Sequence, residues 1–477
     1  MPQGMTAKLG CAYEFACAHC RFLRIRTMAI KPSSPTRRGF LKSTVTTGAG
    51  LLICDSRTAF SYQANERLNI AAIGAGGMGE GDIAAVSGEN IVALCDVDER
   101  RCVSTRSRHE KAKYYKDFRR MLSEMDKEID AVVVATPDHT HAVAAVTAMK
   151  QGKHIYCEKP LTRTVYEARV MRETAKKHKL VTQMGNQGSA SEGVRRGTEW
   201  AWAGTAGPIR EAYLWVGDGN KPMTLPKDTP PVPGKLDWDL WLGPASERPY
   251  HPSYLPASWR SWRHFGSSGL GDMGCHTGNL MFRGLRLEKL WEAALDGDKS
   301  ERRIRVEGES TGVHAEGYPS SSRIHFHLPA RGNLPAVKLT VSSGVDTRPA
   351  KELLHGETAG SYGALLIGSK ASIYTGDPWN RSSSLLPKEK SKDLKQPDKT
   401  IPRVGGHHRE WIDACKGRGK TFSSFDIGGP LTELIQLANI ASIVGEPFHY
   451  DPLTGKISDN PKASALLHRE YRKGWSL

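Results

Sequence analysis

Three side chains have the type and spacing needed to move a proton off a hydroxyl group. Lys159 falls in Glu158-Lys159-Pro160, directly after the apolar run His154-Ile155-Tyr156-Cys157. It should therefore emerge at the carboxyl edge of a strand, where ligands bind in parallel sheets. Asp272 and His276 stand four residues apart, after Gly266-Ser267-Ser268-Gly269, in a segment expected to open a helix. That spacing puts both side chains on one helix face. A histidine titrating near neutrality can exchange the proton, a lysine can hydrogen-bond the resulting alkoxide, and an aspartate can orient either group. Taken singly, Glu-Lys-Pro reads as a solvated turn and Asp272 with His276 as a helix-capping pair. Together they suit alcohol oxidation, provided a hydride acceptor is held over the reacting carbon.

A glycine turn supplies a place for that acceptor. The run Leu68-Asn69-Ile70-Ala71-Ala72-Ile73 leads into Gly74-Ala75-Gly76-Gly77-Met78-Gly79, and a second apolar run, Asn90 to Cys95, delivers Asp96. In a dinucleotide site Gly74 permits the tight turn, Gly76 lets the backbone approach a pyrophosphate, and Gly79 lets the helix pack on its strand. Asp96 sits where a ribose-binding carboxylate belongs. It favours NAD, because a carboxylate accepts ribose hydroxyls and repels a 2′-phosphate, while Arg100 and Arg101 keep NADP open.

The elements that must position these residues follow from the apolar pattern. Strands alternate with helical stretches from Leu68 to about Gln187, including the almost continuous apolar run Ile129 to Ala135, as a doubly wound parallel sheet requires. Helices are expected over His141 to Lys150 and Thr164 to His178. Beyond Gly188 come a helix bearing Trp200 and Trp202, strands at Ile209–Val216, Ser322–Leu328, Val337–Ser342 and Ala364–Tyr374, and a Lys/Pro-rich loop over Ser383 to Pro402. Helices His408–Lys416 and Leu431–Val444 close the chain. The expected fold is α/β: a Rossmann dinucleotide-binding domain over 65–188, then an α+β domain with a large, mostly antiparallel sheet over 189–477. The Pro/Gly/Trp-rich stretch from Lys221 to Phe265 is too long for a linker and reads as a functional surface or subunit contact.

The chain has 477 residues, 39% of them hydrophobic, and a net charge of +16. Residues 1–64 hold nine Lys/Arg and two Asp/Glu, so 9 − 2 = +7 of that charge belongs to them and 16 − 7 = +9 to the rest. Such a diluted excess, without a basic run, argues against nucleic-acid binding. Residues 1–64 read as a leader: Arg37-Arg38-Gly39-Phe40-Leu41-Lys42 precedes the small, apolar run Ser43 to Ile53, with candidate cleavage near Ala59 to Ala64. The pattern resembles a twin-arginine export signal and implies a periplasmic protein, with Met28 a plausible start. That route carries folded proteins, which suits a cofactor loaded before export. The longest apolar stretch in this region is too short to span a bilayer. Cys17-Ala18-His19-Cys20 is an isolated C-x-x-C with no partner motif, and Cys95, Cys102, Cys157, Cys275 and Cys415 form no disulfide framework. His139, His251, His264, His407 and His408 lack a compact ligand spacing, so no metal site is expected and they are read as facing solvent or substrate.

The glycine turn, Ala135-Thr136-Pro137-Asp138-His139-Thr140-His141, Cys157-Glu158-Lys159-Pro160 and Asp272-Met273-Gly274-Cys275-His276 resemble the glucose-fructose oxidoreductase, inositol dehydrogenase and MocA family in order and spacing. The resemblance covers residues 67 to 477. Trp238-Asp239-Leu240-Trp241-Leu242-Gly243-Pro244 and Tyr471-Arg472-Lys473-Gly474-Trp475 are similar to an exported branch of it. The resemblance implies that Lys159 lies between nicotinamide and substrate and that Asp272 and His276 complete the catalytic set. It implies a cofactor site made of Gly74, Gly76, Gly77, Met78, Gly79 and Asp96, with Thr136, Pro137 and His141 beside the ribose and Glu158 and Asn186 near the nicotinamide. Asn279 replaces an acidic residue that contacts the sugar in many relatives, which leaves the substrate open. Trp259, Trp262 and Phe265 suit either sugar stacking or core packing. The expected protein is a homo-oligomeric oxidoreductase of sugars, cyclitols or polyols with tightly bound NAD. Its rivals are a redox-neutral glycoside-cleaving enzyme using the same NAD, and a sugar-binding protein with no catalytic role.

Overall fold

A computed structural model describes residues 67–217, 219–220, 223–292, 302–344 and 348–477. The leader, with Arg37, Arg38, Cys17 and Cys20, lies outside the described residues. Six strands form the first sheet: β1 (Asn69–Ile73), β2 (Asn90–Cys95), β3 (Lys113–Tyr115), β4 (Ala131–Val134), β5 (His154–Glu158) and β6 (Thr182–Gly185). All pair in parallel, in the order β3-β2-β1-β4-β5-β6. Ala131 to Val134 are buried to the last residue, as a strand covered by helices on both faces must be. The chain leaves β1 in one direction for β2 and returns past it to β4. This reversal opens a crevice beyond the carboxyl ends of β1 and β4. Helix Val165–Lys177 behind β5 starts on a capping box, Thr164 accepting from the Glu167 amide while Glu167 accepts from the Thr164 amide.

The second sheet holds β7 (Ile209–Val216), β8 (Ile304–Thr311), β9 (Ser321–Leu328), β10 (Val337–Ser343), β11 (Tyr362–Gly368), β12 (Ser372–Thr375), β13 (Ser384–Leu386), β14 (Phe448–Asp451) and β15 (Lys456–Ile457). Their order is β13-β12-β11-β7-β10-β9-β8-β14-β15, antiparallel except for the β7–β10 pair. One face alternates inward through Ala212, Leu214 and Val216 and through Ile324, Phe326 and Leu328. These residues join the helices Ser268–Thr277 and Phe425–Val444 and the first-sheet residues Val132, Val134 and Ile155 in one continuous core. Helix Phe425–Val444 has the length and apolarity of a membrane span, but its residues are enclosed by that core.

Several boundaries differ from the sequence expectation. The expected strand Ala364–Tyr374 is a hairpin, β11 and β12, turning after Gly368, which a side chain would drive into the Ala206 carbonyl. The expected loop Ser383–Pro402 contains β13 and the short helix Lys388–Ser391. Helix Phe425–Val444 begins six residues before Leu431 and tolerates Pro430 inside it, at the cost of one missing amide donor. Gly428 lets its first turns approach Met184 closely.

Residues 223–265 form an aromatic cluster of their own, with Trp241, Tyr254, Trp259, Trp262 and Phe265 buried. It docks on the first domain through Glu99 N–H donating to Lys235 (3.1 Å), Asp237 N–H to Val97 (2.9 Å) and His139 Nε2 to the Trp241 carbonyl (2.8 Å). This stretch is a wall of the crevice. Trp262 and Phe265 are core residues, while Trp259 reaches the crevice itself.

Candidate active site

The crevice holds a cavity of about 340 Å³, within the range of small-molecule and cofactor sites. One end is the glycine turn. Gly74 sits at φ +87°, and a Cβ there would stand 2.6 Å from the Ala135 carbonyl oxygen. A Cβ on Gly76 would stand 2.6 Å from the Arg101 carbonyl oxygen, and one on Gly79 would run into the Gly74 carbonyl. Gly77 is at φ +61°, and Met78 opens the helix at the cavity rim, half exposed. These glycines are required by the turn, and they leave backbone rather than side chains facing the cavity.

Asp96 follows β2 and accepts from the Ala75 and Gly76 amides at 2.9 and 3.0 Å through one oxygen and from the Asp98 amide at 2.9 Å through the other. Burial raises its pKa and these amide bonds oppose the rise. Arg100 is turned onto Asp98 by two bonds, at 2.8 and 2.7 Å, whereas Arg101 faces the glycine turn. The cradle of glycines, the helix start, the carboxylate and the Arg101 cation fit a dinucleotide: turn for pyrophosphate, Asp96 for ribose.

At the other end Lys159 leaves β5 into the cavity. Its Nζ lies 2.5 Å from Asp272 Oδ1, which also receives Arg260 Nε at 3.1 Å. Burial opposes the Asp272 charge, but Lys159 and Arg260 outweigh it and hold the carboxyl down at about 2. Burial likewise lowers the Lys159 pKa, and Asp272 and Glu158 overcome it, so the ammonium titrates above its ordinary value. Asp272 meets the cavity through Lys159 and Arg260.

Helix Ser268–Thr277 carries Asp272 and His276 on one face. His276 is buried, and burial followed by the Lys159 charge pushes its pKa far down, so its resting state is neutral imidazole. The expectation of a near-neutral titration is corrected by that enclosure. A neutral ring is a proton acceptor, and its Nδ1 has no hydrogen-bond partner among the described residues. Beside it stands Trp379, 36% exposed, with ring centroids 6.2 Å apart. The helix start is strained, Ser268 lying at φ +69°. It is pinned by Asn439, which accepts from Ser268 Oγ and donates to the Ser267 carbonyl, both at 2.9 Å, and by Gln436, which donates to Ser267 Oγ at 2.9 Å.

Of the other residues expected beside the cofactor, Thr136, Pro137 and Glu158 line the cavity. Burial and the nearby Asp82 raise the Glu158 carboxyl to about 8, and Gln187 donates to it at 2.6 Å. His141, Asn186 and His276 do not line it, His276 lying behind Asp272 on the next turn of its helix. His141 is wedged between the Pro160 and Thr136 carbonyls at 2.9 and 2.7 Å, bracing the two loops that carry Lys159 and Thr136. Asn186 accepts from Ser423 Oγ at 2.6 Å and donates to the Cys275 carbonyl at 3.3 Å, which ties β6 to the helix of Asp272. Both side chains are packed between loops, with their hydrogen bonds made to protein groups.

Of the five other histidines singled out, two are buried and three are partly exposed. His139 and His407 are buried, their pKa values pushed down to about 3 by that burial; His408 donates to Asp82 at 2.9 Å, and His264 pairs with Glu316 at 2.9 Å. His251 is half-buried and bonds Ser253 at 2.7 Å. The five described cysteines are buried and free, and burial raises their thiol pKa values. Asn279 is buried with both amide atoms unpartnered among the described residues. Arg260, which lines the cavity, and Trp379, which stands beside His276, carry no sequence signal, since each arrives only through long-range folding.

A model of the oxidoreductase family, NAD-binding Rossmann fold, matches residues 68–186, and a model of the oxidoreductase family's C-terminal alpha/beta domain matches residues 205–280. Inositol 2-dehydrogenase 2 of Saccharopolyspora erythraea is 40% identical over 101 residues, 20% of this chain and 29% of that protein. Levoglucosan dehydrogenase of Pseudarthrobacter phenanthrenivorans is 34% identical over 113 residues, 23% of this chain and 28% of that protein. The chain thus spans less than a third of either relative's length. An inositol dehydrogenase homologue from Azotobacter vinelandii, crystallised with NADH and myo-inositol, superposes with a TM-score of 0.53 at 17% identity. That match covers 81% of this chain and 98% of the other, and shows a shared fold.

Proposed function

Because the chain belongs to the glucose-fructose oxidoreductase, inositol dehydrogenase and MocA family, with its NAD-binding Rossmann fold over residues 68–186, we propose that it oxidises a hydroxyl-bearing carbon of a sugar, cyclitol or related polyol. The single observation that carries this reading is Lys159 in the wall of a dinucleotide cavity, paired at 2.5 Å with Asp272 behind it, with neutral His276 one helical turn from Asp272. Bound NAD supplies the acceptor for the hydride. His276 takes the hydroxyl proton as the C–H bond breaks, and Lys159 donates a hydrogen bond to the oxygen while negative charge grows on it. Asp272 and Arg260 fix the ammonium in place. Trp379, held exposed beside His276, offers an aromatic face to the C–H face of a sugar ring.

Wild-type protein loaded with NAD and challenged with a panel of sugars and cyclitols should yield the ketone or lactone of at least one of them, identified by mass spectrometry. Release of a free sugar from a glycoside, with no net oxidation, would favour the glycoside-cleaving rival. Binding with no chemical change across the panel would favour a sugar-binding protein. The same proposal includes self-association, which light scattering on the purified protein tests, and export to the periplasm on the twin arginine of the leader.

A further inference from the structure

The segment that follows helix Pro461–Ala465 runs back over the crevice and puts an indole in its wall. Arg469 anchors it by donating to Glu167 at 3.0 Å and to the His139 carbonyl at 2.7 Å. Arg472 clips it to the aromatic insert through Asp239 Oδ1 at 2.5 Å, the Asp239 carbonyl at 2.6 Å and the Gly243 carbonyl at 2.5 Å. Trp475 N–H returns to the Arg472 carbonyl at 3.3 Å, closing a turn that leaves the indole against Phe118, ring centroids 6.0 Å apart, with the Arg119 guanidinium 4.3 Å over its ring. Trp475 lines the cavity together with Asp96, Lys116, Asp117 and Phe118.

The sheet order says which part of a dinucleotide lies there. Asp96 ends β2, and Lys116 to Phe118 follow β3, on the side of β1 away from Lys159. In such a sheet the nicotinamide belongs beyond β4 and β5 with Lys159, and the adenosine beyond β2 and β3. At the opposite end, Leu255 to Ala257, Trp259 and Arg260 line the cavity with Lys159, Arg260 sharing Asp272 with it.

We propose that Trp475, carried on the segment clipped down by Arg472, is a cofactor-binding residue that covers the adenosine half of the dinucleotide and slows its release. This inference rests on the dinucleotide reading of the cavity. It gives the retained cofactor a physical origin: with both ends walled, NAD leaves only when the Arg472 clip opens. Reduced cofactor then stays in place between turnovers and is reoxidised there by a carbonyl compound, its hydride passing to the carbonyl carbon and a proton to the oxygen.

The test uses the full chain loaded with NADH, following loss of tryptophan-to-NADH energy transfer after mixing with excess NAD. Trp475→Ala and Arg472→Ala should each release NADH about 10-fold faster or more, the order expected for one aromatic–base contact, with Trp475→Phe intermediate. Arg472 does not line the cavity, so its variant separates the clip from the indole. Hydride transfer in a single turnover at saturating NAD should change little in Arg472→Ala. Release within twofold of wild type in both variants, with unchanged melting temperature, overturns the lid. If Trp475→Ala fails to fold, Arg472→Ala and Trp475→Phe decide it by the same rates. Absence of NADH binding by wild type would instead sink the dinucleotide reading itself.

Discussion

Lys159 and Asp272 hold each other charged, and that pairing sets how the site responds to substitution and to pH. Lys159→Ala and His276→Ala should each slow reduction of bound NAD by roughly 10²-fold or more, the range of general acid–base groups, while NAD affinity persists; stopped-flow absorbance and calorimetry read the two separately. Asp272 titrates at about 2 instead of 3.8. Its folded pKa is depressed, so its stabilising contribution is complete above the unfolded value and is lost as pH falls from about 4 through about 2. Glu158 runs the other way: raised from 4.5 to about 8, it binds a proton in the folded state that the unfolded chain releases, so stability falls as pH rises across that window. Glu158→Gln should flatten the melting temperature between those limits, and a variant with the wild-type slope would contradict the burial argument. Asp96→Ala should weaken NAD and relax discrimination against NADP, measured by calorimetry with both cofactors. Lys159, Asp272, His276 and Asp96 were legible because each sits at a fixed offset from a strand end or along one helix. Arg260 and Trp379 were not, because an irregular chain brings them in from far away. His141 and Asn186 lay in readable motifs, but their depth depends on Pro160 and Cys275 packing over them, which no local pattern encodes.

At the scale of elements, the glycine turn and the strained helix start are the two places where backbone geometry makes the site. Gly79→Ala puts a methyl group against the Gly74 carbonyl. It should destabilise the fold by about 1–3 kcal/mol, as overpacked interiors do, and weaken NAD binding with it. Asn439→Ala removes the clamp on Ser267 and Ser268. Loss of buried hydrogen bonds should cost about 1–3 kcal/mol, and single-turnover rates should fall more than NAD affinity, because the helix of Asp272 and His276 loses its fixed start. The parallel strands were easy to place from their unbroken apolar runs. The hairpin β11–β12 carries a turn signal in Gly368-Ser369, but the turn is so short that the flanking apolar residues read as one run. Helix Phe425–Val444 hides its first turns behind Gly428, Gly429 and Pro430, residues that ordinarily end helices; here Gly428 permits close packing on β6 and Gly429 on helix Val165–Lys177.

Across the whole molecule, two sheets share one core, and a crevice walled by the aromatic insert and the segment of Trp475 lies at the edge of the first sheet. A cofactor retained in that crevice, as proposed, would suit a protein exported already folded into a compartment without a nicotinamide pool. Replacing Arg37 and Arg38 with lysine should therefore leave the protein in the cytoplasm, and fractionation showing unchanged periplasmic delivery would remove that claim. The central claim is that a hydride passes from a carbinol carbon to NAD held beside Lys159. The most direct measurement supplies the substrate polyol, before oxidation, with deuterium on its carbinol carbon and weighs the reduced cofactor from a single turnover. The account predicts one deuterium per reduced NAD in wild type, a slowed transfer with the same label in Lys159→Ala and His276→Ala, and no deuterium when the label is in solvent alone. Product formed while the cofactor gains no deuterium, or gains it from solvent, would contradict it.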